Sequence, residues 1–427
     1  MTSRSSRSRS TPTRISEWSA LSLIVLIVCG AITPEKTKAG RADNPSGLSV
    51  PRSITSPARA GSREPNLAAL PDGRVVMSWL EPEGRNGMAL RCATYDRRLW
   101  SKPATIASGD SFFVNWADFP SVRALGGNRL AAHWVWKSGA ATYAYDVRIS
   151  QSEDGGRTWS PPVTPHRDRT ASEHGFVSLV ADSGNALAVW LDGRKTEGHE
   201  EDSPGPTPDM TLRAASVTRR GELRDEAELD ARVCDCCQTA AVATDRGILV
   251  AYRDRSPGEV RDIQVVRRDG STWSTPQVVH ADNWHIEGCP VNGPALDAQH
   301  SHVAIAWYTA AADTPRVYVA FSEDAGAHFG LPTRIDDGSP IGRVHVALLA
   351  DGSALATWLE ASGKDALFRA RRIPVHGPPG NAITVVRTSA ARGSGCPRVV
   401  RHGESILFAW TEPGTTPQVR LASISGK

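Results

Sequence analysis

Beyond its first forty residues this chain has no long uninterrupted apolar run, no surplus of charge of one sign, and few aromatic or methionine side chains. The missing apolar runs exclude a bundle of membrane-spanning helices. The missing charge surplus excludes an electrostatic case for nucleic acid. Lys and Arg total 49 and Asp and Glu 46, but six of the bases (Arg4, Arg7, Arg9, Arg14, Lys36 and Lys38) and two of the acids (Glu17 and Glu35) lie in the first 39 residues. Subtraction leaves 43 basic and 44 acidic groups, net −1, for the rest of the chain, and a nucleic-acid surface needs a basic footprint. Long helices are also excluded, because 37 Gly and 29 Pro punctuate the 427 residues too often. What remains is globular: 40% hydrophobic and 22% charged residues are enough to build a sizeable core.

The amino-terminal segment reads as an export signal. It is Ser/Arg-rich to Arg14, apolar from Ala20 to Ile32, and ends near Ala39, where cleavage is expected. Leu26-Ile27-Val28-Cys29 also resembles a lipidation box, and an uncleaved anchor is a third reading. Each puts the remainder outside the cytoplasm, in the periplasm, in the extracellular space or on a membrane anchor. Membrane contact would then run only through this segment. Residues 1–39 are the expected signal or anchor, 40–61 a linker with a closing strand, and 62–427 the folded domain.

The folded part is built of repeats. An apolar strand ending in an aromatic residue recurs at Trp79, Trp134, Trp190, Tyr252, Trp307, Trp358 and Trp410, at intervals of 55, 56, 62, 55, 51 and 52 residues. A shorter strand and a turn such as Pro71-Asp72-Gly73 or Ala350-Asp351-Gly352 precede it, with Gly supplying positive φ for a hairpin. Two further strand-like runs follow each of the first six. The unit is a four-stranded antiparallel meander, strands A to D, which cannot cover both its own faces and must stack on its neighbours. Radial stacking of such sheets makes a β-propeller. The expectation is an all-β, seven-bladed β-propeller, with six blades as the alternative, in which Leu48–Ile54 supplies the strand missing from the seventh repeat.

Ser152-Glu153-Asp154-Gly155-Gly156-Arg157-Thr158-Trp159 carries a Ser-x-Asp-x-Gly-x-Thr-Trp pattern, with a partial copy at Ser322–Phe329 and a degenerate one at Arg268–Trp273. This pattern resembles the Asp-box, or BNR repeat, of the sialidase superfamily. All three copies fall between strands C and D, where the Asp and Gly serve a tight turn rather than catalysis. In an up-down meander the connections leading into strand A then meet at the opposite end of the ring. They contain Arg63-Glu64, Asp118, Glu173-His174, Cys234-Asp235-Cys236-Cys237, Glu287-Gly288-Cys289, Arg343 with His345, and Gly395-Cys396.

Five of the six cysteines beyond the leader lie in these connections, and Cys92 reads as a small buried hydrophobe. Three chemistries compete for the five. Disulfides suit an exported chain. A metal site of Cys234, Cys236, Cys237, Cys289 and Cys396 with His174 would suit zinc or copper. A reactive thiol or a strained, redox-active Cys236-Cys237 bridge is the third. In an extended chain Cys234 and Cys236 face the same way and Cys237 the other.

The resemblance implies a different use of the mouth, on anionic glycans: an arginine cluster for a carboxylate, an Asp as acid/base, and a Tyr nucleophile primed by a Glu. Arg63, Arg255 and Arg343 match the clamp by type, Asp118 the acid/base, and Tyr252 the nucleophile, with Arg253 and Tyr308 beside them. The sequence departs from the family in its seven repeats, in its cysteines, and in carrying Arg372-Ile373-Pro374 in the sixth repeat rather than the first. Arg253-Asp254-Arg255 and Asp192-Gly193-Arg194 read as a polar wall, and Thr196–Asp209 as a loop over the mouth. The functional expectation is an exported propeller binding a ligand or metal at a Cys-lined mouth, with redox activity of the thiols included, and the alternative is an exo-sialidase-type glycoside hydrolase.

Overall fold

The computed structural model describes residues 47–96, 98–198 and 208–425. The leader, with its cleavage, lipidation or anchoring, lies outside these residues, as does most of the segment expected to overhang the mouth. No helix among the described residues is long and apolar enough to cross a membrane.

All seven repeated runs form the second strand of an antiparallel sheet, from Val75–Glu83 in blade 1 to Ser405–Glu412 in blade 7. Alternation of side chains puts half of each strand against one neighbouring blade and half against the other. These strands are therefore buried on both faces. Trp79, Trp190, Trp307 and Trp358 are fully buried, and each contributes roughly 4–6 kcal/mol of burial. Their indole N–H groups need acceptors inside the core. Three find one two residues on, at Glu81 (2.9 Å), Asp192 (2.8 Å) and Glu360 (2.6 Å), while Trp307 donates to Asp282 at 2.7 Å. Neighbouring blades interlock through contacts such as Phe368 edge-on to Phe408, 5.8 Å between centroids.

Two blades depart from four full strands. Blade 2 has three, its fourth reduced to a single bridge between Ile149 and Val163, because Pro161, Pro162 and Pro165 remove donors from that edge. Blade 4 splits its outer strand into Thr272–Trp273 and Gln277–Val278 around Pro276.

The ring closes as the repeats imply. Arg52–Ile54 pairs with Gln418–Ser425 in the register Arg52↔Ser423, Ser53↔Ala422, Ile54↔Leu421. The rest of the expected closing segment acts by side chain, with Leu48 buried between blades 6 and 7 and Ser49 Oγ accepting from Ser425 N at 2.7 Å. Inner strands of all seven blades line an axial channel of about 430 Å³.

The hairpin turns behave as turn chemistry requires. Gly73 and Gly352 both take φ of +81°. Asp154 accepts from the backbone of Arg157 and Thr158, both at 2.9 Å, and from Thr158 Oγ1 at 2.7 Å. These bonds, led by the Thr158 hydroxyl, hold its carboxyl below the usual range. Gly155 N reaches Asn128 O, and Ala325 N reaches Ser301 O, each at 2.8 Å. Both turns thus sit against A–B hairpins, at the end opposite the connections into strand A. Removing residues 1–56 should lower the melting temperature by roughly 5 °C or more relative to removal of 1–46, because blade 7 loses its covering strand. Equal melting curves by circular dichroism would show that this strand does not close the ring.

Candidate functional site

The link from blade 3 to blade 4 leaves its strand at Val233 and turns at once. Cys234 N donates to Arg253 O at 3.1 Å, and residues 235–236 form the turn. That turn corrects the extended-chain expectation for Cys237, since the chain folds back and brings all three thiols together. Cys234 Sγ lies 3.8 Å from Cys236 Sγ and 3.6 Å from Cys237 Sγ. From the next connection, Cys289 Sγ reaches Asp235 Oδ1 at 3.6 Å, and ligand atoms of Asp235, Cys236 and Cys289 lie within 4.8 Å of one another. Cys234 and Cys237 are buried, Cys236 is half-buried, Cys289 is exposed, and none of the six described cysteines is in a disulfide.

The surroundings favour negative sulfur. Arg261 donates to Cys234 Sγ at 3.2 Å and also holds Asp235 and Glu259. The backbone N–H of Asn292 donates to Cys237 Sγ at 3.3 Å. Burial pushes the Cys234 thiol up, but its contacts with Cys236 and Cys237 and the charges of Arg261 and Arg253 together hold it well below the usual thiol range. Cys236 is pushed up, chiefly by its contact with Cys234, and Cys237 by burial.

The other proposed ligands stand apart from this set. Cys396 lies 4.0 Å from Trp116 O and shares with Cys236 a cleft that Arg343 and Arg398 also line. His174 is fully buried with both ring nitrogens committed elsewhere, Nδ1 beside the carbonyls of Tyr145 and Ser172 and Nε2 against Asp168 at 3.0 Å. Its ring stacks on His166 at 3.8 Å. It therefore belongs to an internal His–Asp cluster with Asp192 and not to the thiols. Cys92 is buried, and burial pushes its thiol up to about 12.

Several residues matched by type to the glycan-cleaving set are structural braces. Tyr252 is buried between blades 3 and 4 and donates to Asp230 at 2.6 Å. Arg253 spends its guanidinium on the carbonyls of Asn292, Arg261 and Tyr308 and on the Trp284 face. Arg255 pairs with Glu259 at 2.9 Å, and Arg194 clamps Asp192 at 2.6 Å. The two expected polar walls are thus largely internal ion pairs. Arg343 binds Ser394 Oγ at 2.7 Å and Gly395 O at 3.0 Å and stacks on Trp116. Arg63 stands beside Glu64, whose carboxyl burial pushes up to about 7 against the opposing charges of Arg63, Arg398 and Arg343.

Asp118 does meet a tyrosine, though not one named from the sequence. Tyr145, at the start of the third strand of blade 2, donates to Glu173 Oε1 at 2.6 Å and stacks on Phe113. Asp118 sits beside the pair, accepts from Phe176 N at 2.9 Å, and is pushed up to about 7 by burial. Glu173 is pushed up to about 8, by burial first and then by Asp118 and Asp235. Gly175 makes room for this group, since a Cβ there would lie 2.0 Å from Asp118 Oδ2. Glu173 stood among the mouth residues; only its partner was missing, and Tyr145 could have been found as an aromatic opening a strand on the mouth side.

No known family profile matches this chain, and no curated protein matches it. Similar solved structures include a protein of unknown function from Dyadobacter fermentans, at 16% identity over 89% of this chain and 99% of that one, with a TM-score of 0.49. They also include the polysaccharide lyase Uly1 (9% identity, 90% of each chain, TM-score 0.47) and a mutant of the NanB sialidase from Streptococcus pneumoniae (9% identity, 88% and 94%, TM-score 0.47). At such identities, function has to be argued from this chain's own residues.

The raised carboxyls set a pH dependence. A group whose folded pKa lies above its unfolded value stabilises the fold below the unfolded pKa and loses that contribution as pH rises through the folded one. Glu64, Asp118 and Glu173 all have this sign, so their contribution to stability should fall between about pH 4.5 and 8. Asp118→Asn should flatten the melting temperature over that range. A profile that rises toward pH 8 in the wild type would contradict this assignment.

Proposed function

We propose that this chain is an exported propeller that binds a soft metal ion, zinc or copper(I), through Cys234, Cys236 and Cys237, whose sulfurs lie within 4.8 Å of one another. The observation that carries this reading is the sulfur spacing. Tetrahedral thiolate coordination with bonds of about 2.3 Å sets its sulfurs about 3.8 Å apart, and Cys234 Sγ lies 3.8 and 3.6 Å from the other two. Charge supports it as well. Several thiolates around one cation leave net negative charge, which the Arg261 guanidinium against Cys234 and the nearby Arg253 offset. Thiolate ligands release protons on binding, so metal uptake should weaken as pH falls. Protein purified from the exported fraction should carry about one equivalent of metal by elemental analysis. Cys234→Ser and Cys236→Ser should each remove most of it, whereas Cys92→Ser should not. Absence of metal together with a Cys234–Cys237 disulfide found by mass spectrometry would replace this reading with a redox one.

A second reading, a glycoside hydrolase acting on anionic glycans, is favoured by the 2.6 Å hydrogen bond from Tyr145 to Glu173 beside Asp118. It assigns Tyr145 as nucleophile, Glu173 as its base and Asp118 as acid/base. Burial helps Asp118 here, since a carboxyl near 7 can hold a proton for a leaving group. Under this reading an aryl α-sialoside is hydrolysed, Tyr145→Phe and Asp118→Asn each lower kcat by roughly a hundredfold or more, and the cysteine substitutions leave the rate unchanged. No hydrolysis by the wild type would remove it.

A further inference from the structure

The inner strands enclose a small polar throat in which several buried side-chain atoms have no hydrogen-bond partner. Arg398 opens the inner strand of blade 7, is 6% exposed, and has its guanidinium carbon 3.8 Å above the Phe119 ring centroid. Its Nε and Nη2 are buried with no hydrogen-bond partner. Across the same space, His345 Nδ1 and Gln238 Oε1 are also buried without partners. Arg123 turns one guanidinium nitrogen away, to Asn66 Oδ1 at 3.2 Å and Leu67 O at 3.1 Å. Arg398, His345, Gln238 and Arg123 all line one cavity of about 60 Å³, room for more than a single water-sized group.

We infer that this throat is a binding site for a small oxyanion, held by the free N–H groups of Arg398 with His345 and Arg123 beside it. A guanidinium is the side chain whose planar fork suits carboxylate, phosphate or sulfate oxygens. Burying one with unused donors is costly unless an acceptor is supplied. The charges facing the site favour an anion. Arg123 and Arg398 are cationic, and burial together with those two charges keeps His345 neutral, so that it can donate without adding repulsion. Of the acids nearby, Asp297 is already occupied by the amides of Leu348 (2.7 Å) and Ala298 (2.9 Å). Glu64, pushed up to about 7, can carry a proton and donate. The site is set within the inner strands, and its residues are neither the thiol ligands nor the Tyr145–Glu173 pair, so it stands whether or not either functional reading does.

The test is isothermal titration of the full chain with sulfate, phosphate and acetate separately, at fixed ionic strength in chloride, alongside thermal shift. One saturable site per chain is expected, for the tetrahedral anions, for acetate, or for both, which also distinguishes an inorganic ligand from a carboxylate. Arg398→Met should weaken binding tenfold or more, the factor that losing charge-assisted hydrogen bonds implies. If that variant fails to fold, Arg398→Lys, which keeps the charge and loses the fork, should show the same direction. Arg420→Met, at an exposed arginine paired with Glu412, should bind as the wild type does. Absence of saturable binding in the wild type overturns the inference, because water then suffices for the unpaired donors. So does equal affinity in the Arg398 variants, since sulfate also raises melting temperatures without a site.

Discussion

Each blade of this propeller has two apolar faces and only one chain segment to build them, so every sheet depends on a neighbour on either side. The dependence is circular, and it is satisfied only when the last blade meets the first. Three residues, Arg52–Ile54, complete the seventh sheet against Gln418–Ser425 and cover its outer edge. The same strand brings Leu48 under the blade 6 and blade 7 core. Closure therefore joins the two ends of the domain through backbone hydrogen bonds and apolar burial together.

Radial packing has a second consequence, felt at the axis. Seven connections must enter the inner strands through one small opening, and polar residues carried there are buried whether or not they serve a ligand. Many are consumed by that geometry. Arg253 and Arg343 hold carbonyls of neighbouring connections, and Asn292 offers Oδ1 to Arg343 N at 2.7 Å while its backbone N–H serves Cys237. What remains after this internal pairing is chemically telling: a thiol group with an arginine on its most acidic member, a tyrosine bonded to a glutamate, and an arginine with no acceptor. Blades supply the scaffold by burial. The mouth is shaped by which polar groups the scaffold leaves over.

Much of the architecture was legible in the residue order. The interval between aromatic residues counted the blades, the Asp-Gly turns marked the hairpins, and the short seventh repeat pointed to a strand from the other end. The gathering of cysteines at the mouth was legible too, since topology alone decides which connections share an end. Direction of side chains was not. Cys237 joins Cys234 because the link turns where an extended chain was assumed, and His174 turns inward to Asp168 and His166 where a ligand to sulfur was expected. Tyr145 escaped notice because its partner Glu173 lies 28 positions on, in the next repeat's connection.

The sequence by itself determined the fold class, the number of blades, the closing strand and the end of the ring at which the unusual residues meet, because these follow from periodicity and alternation along one strand at a time. Only the tertiary structure decided which of those residues face one another. Pairings such as Cys289 with Asp235, or Arg343 with Ser394, join separate repeats. Their geometry depends on the angle at which independent blades converge and on which donor reaches which carbonyl first, and neither quantity is written in any one repeat.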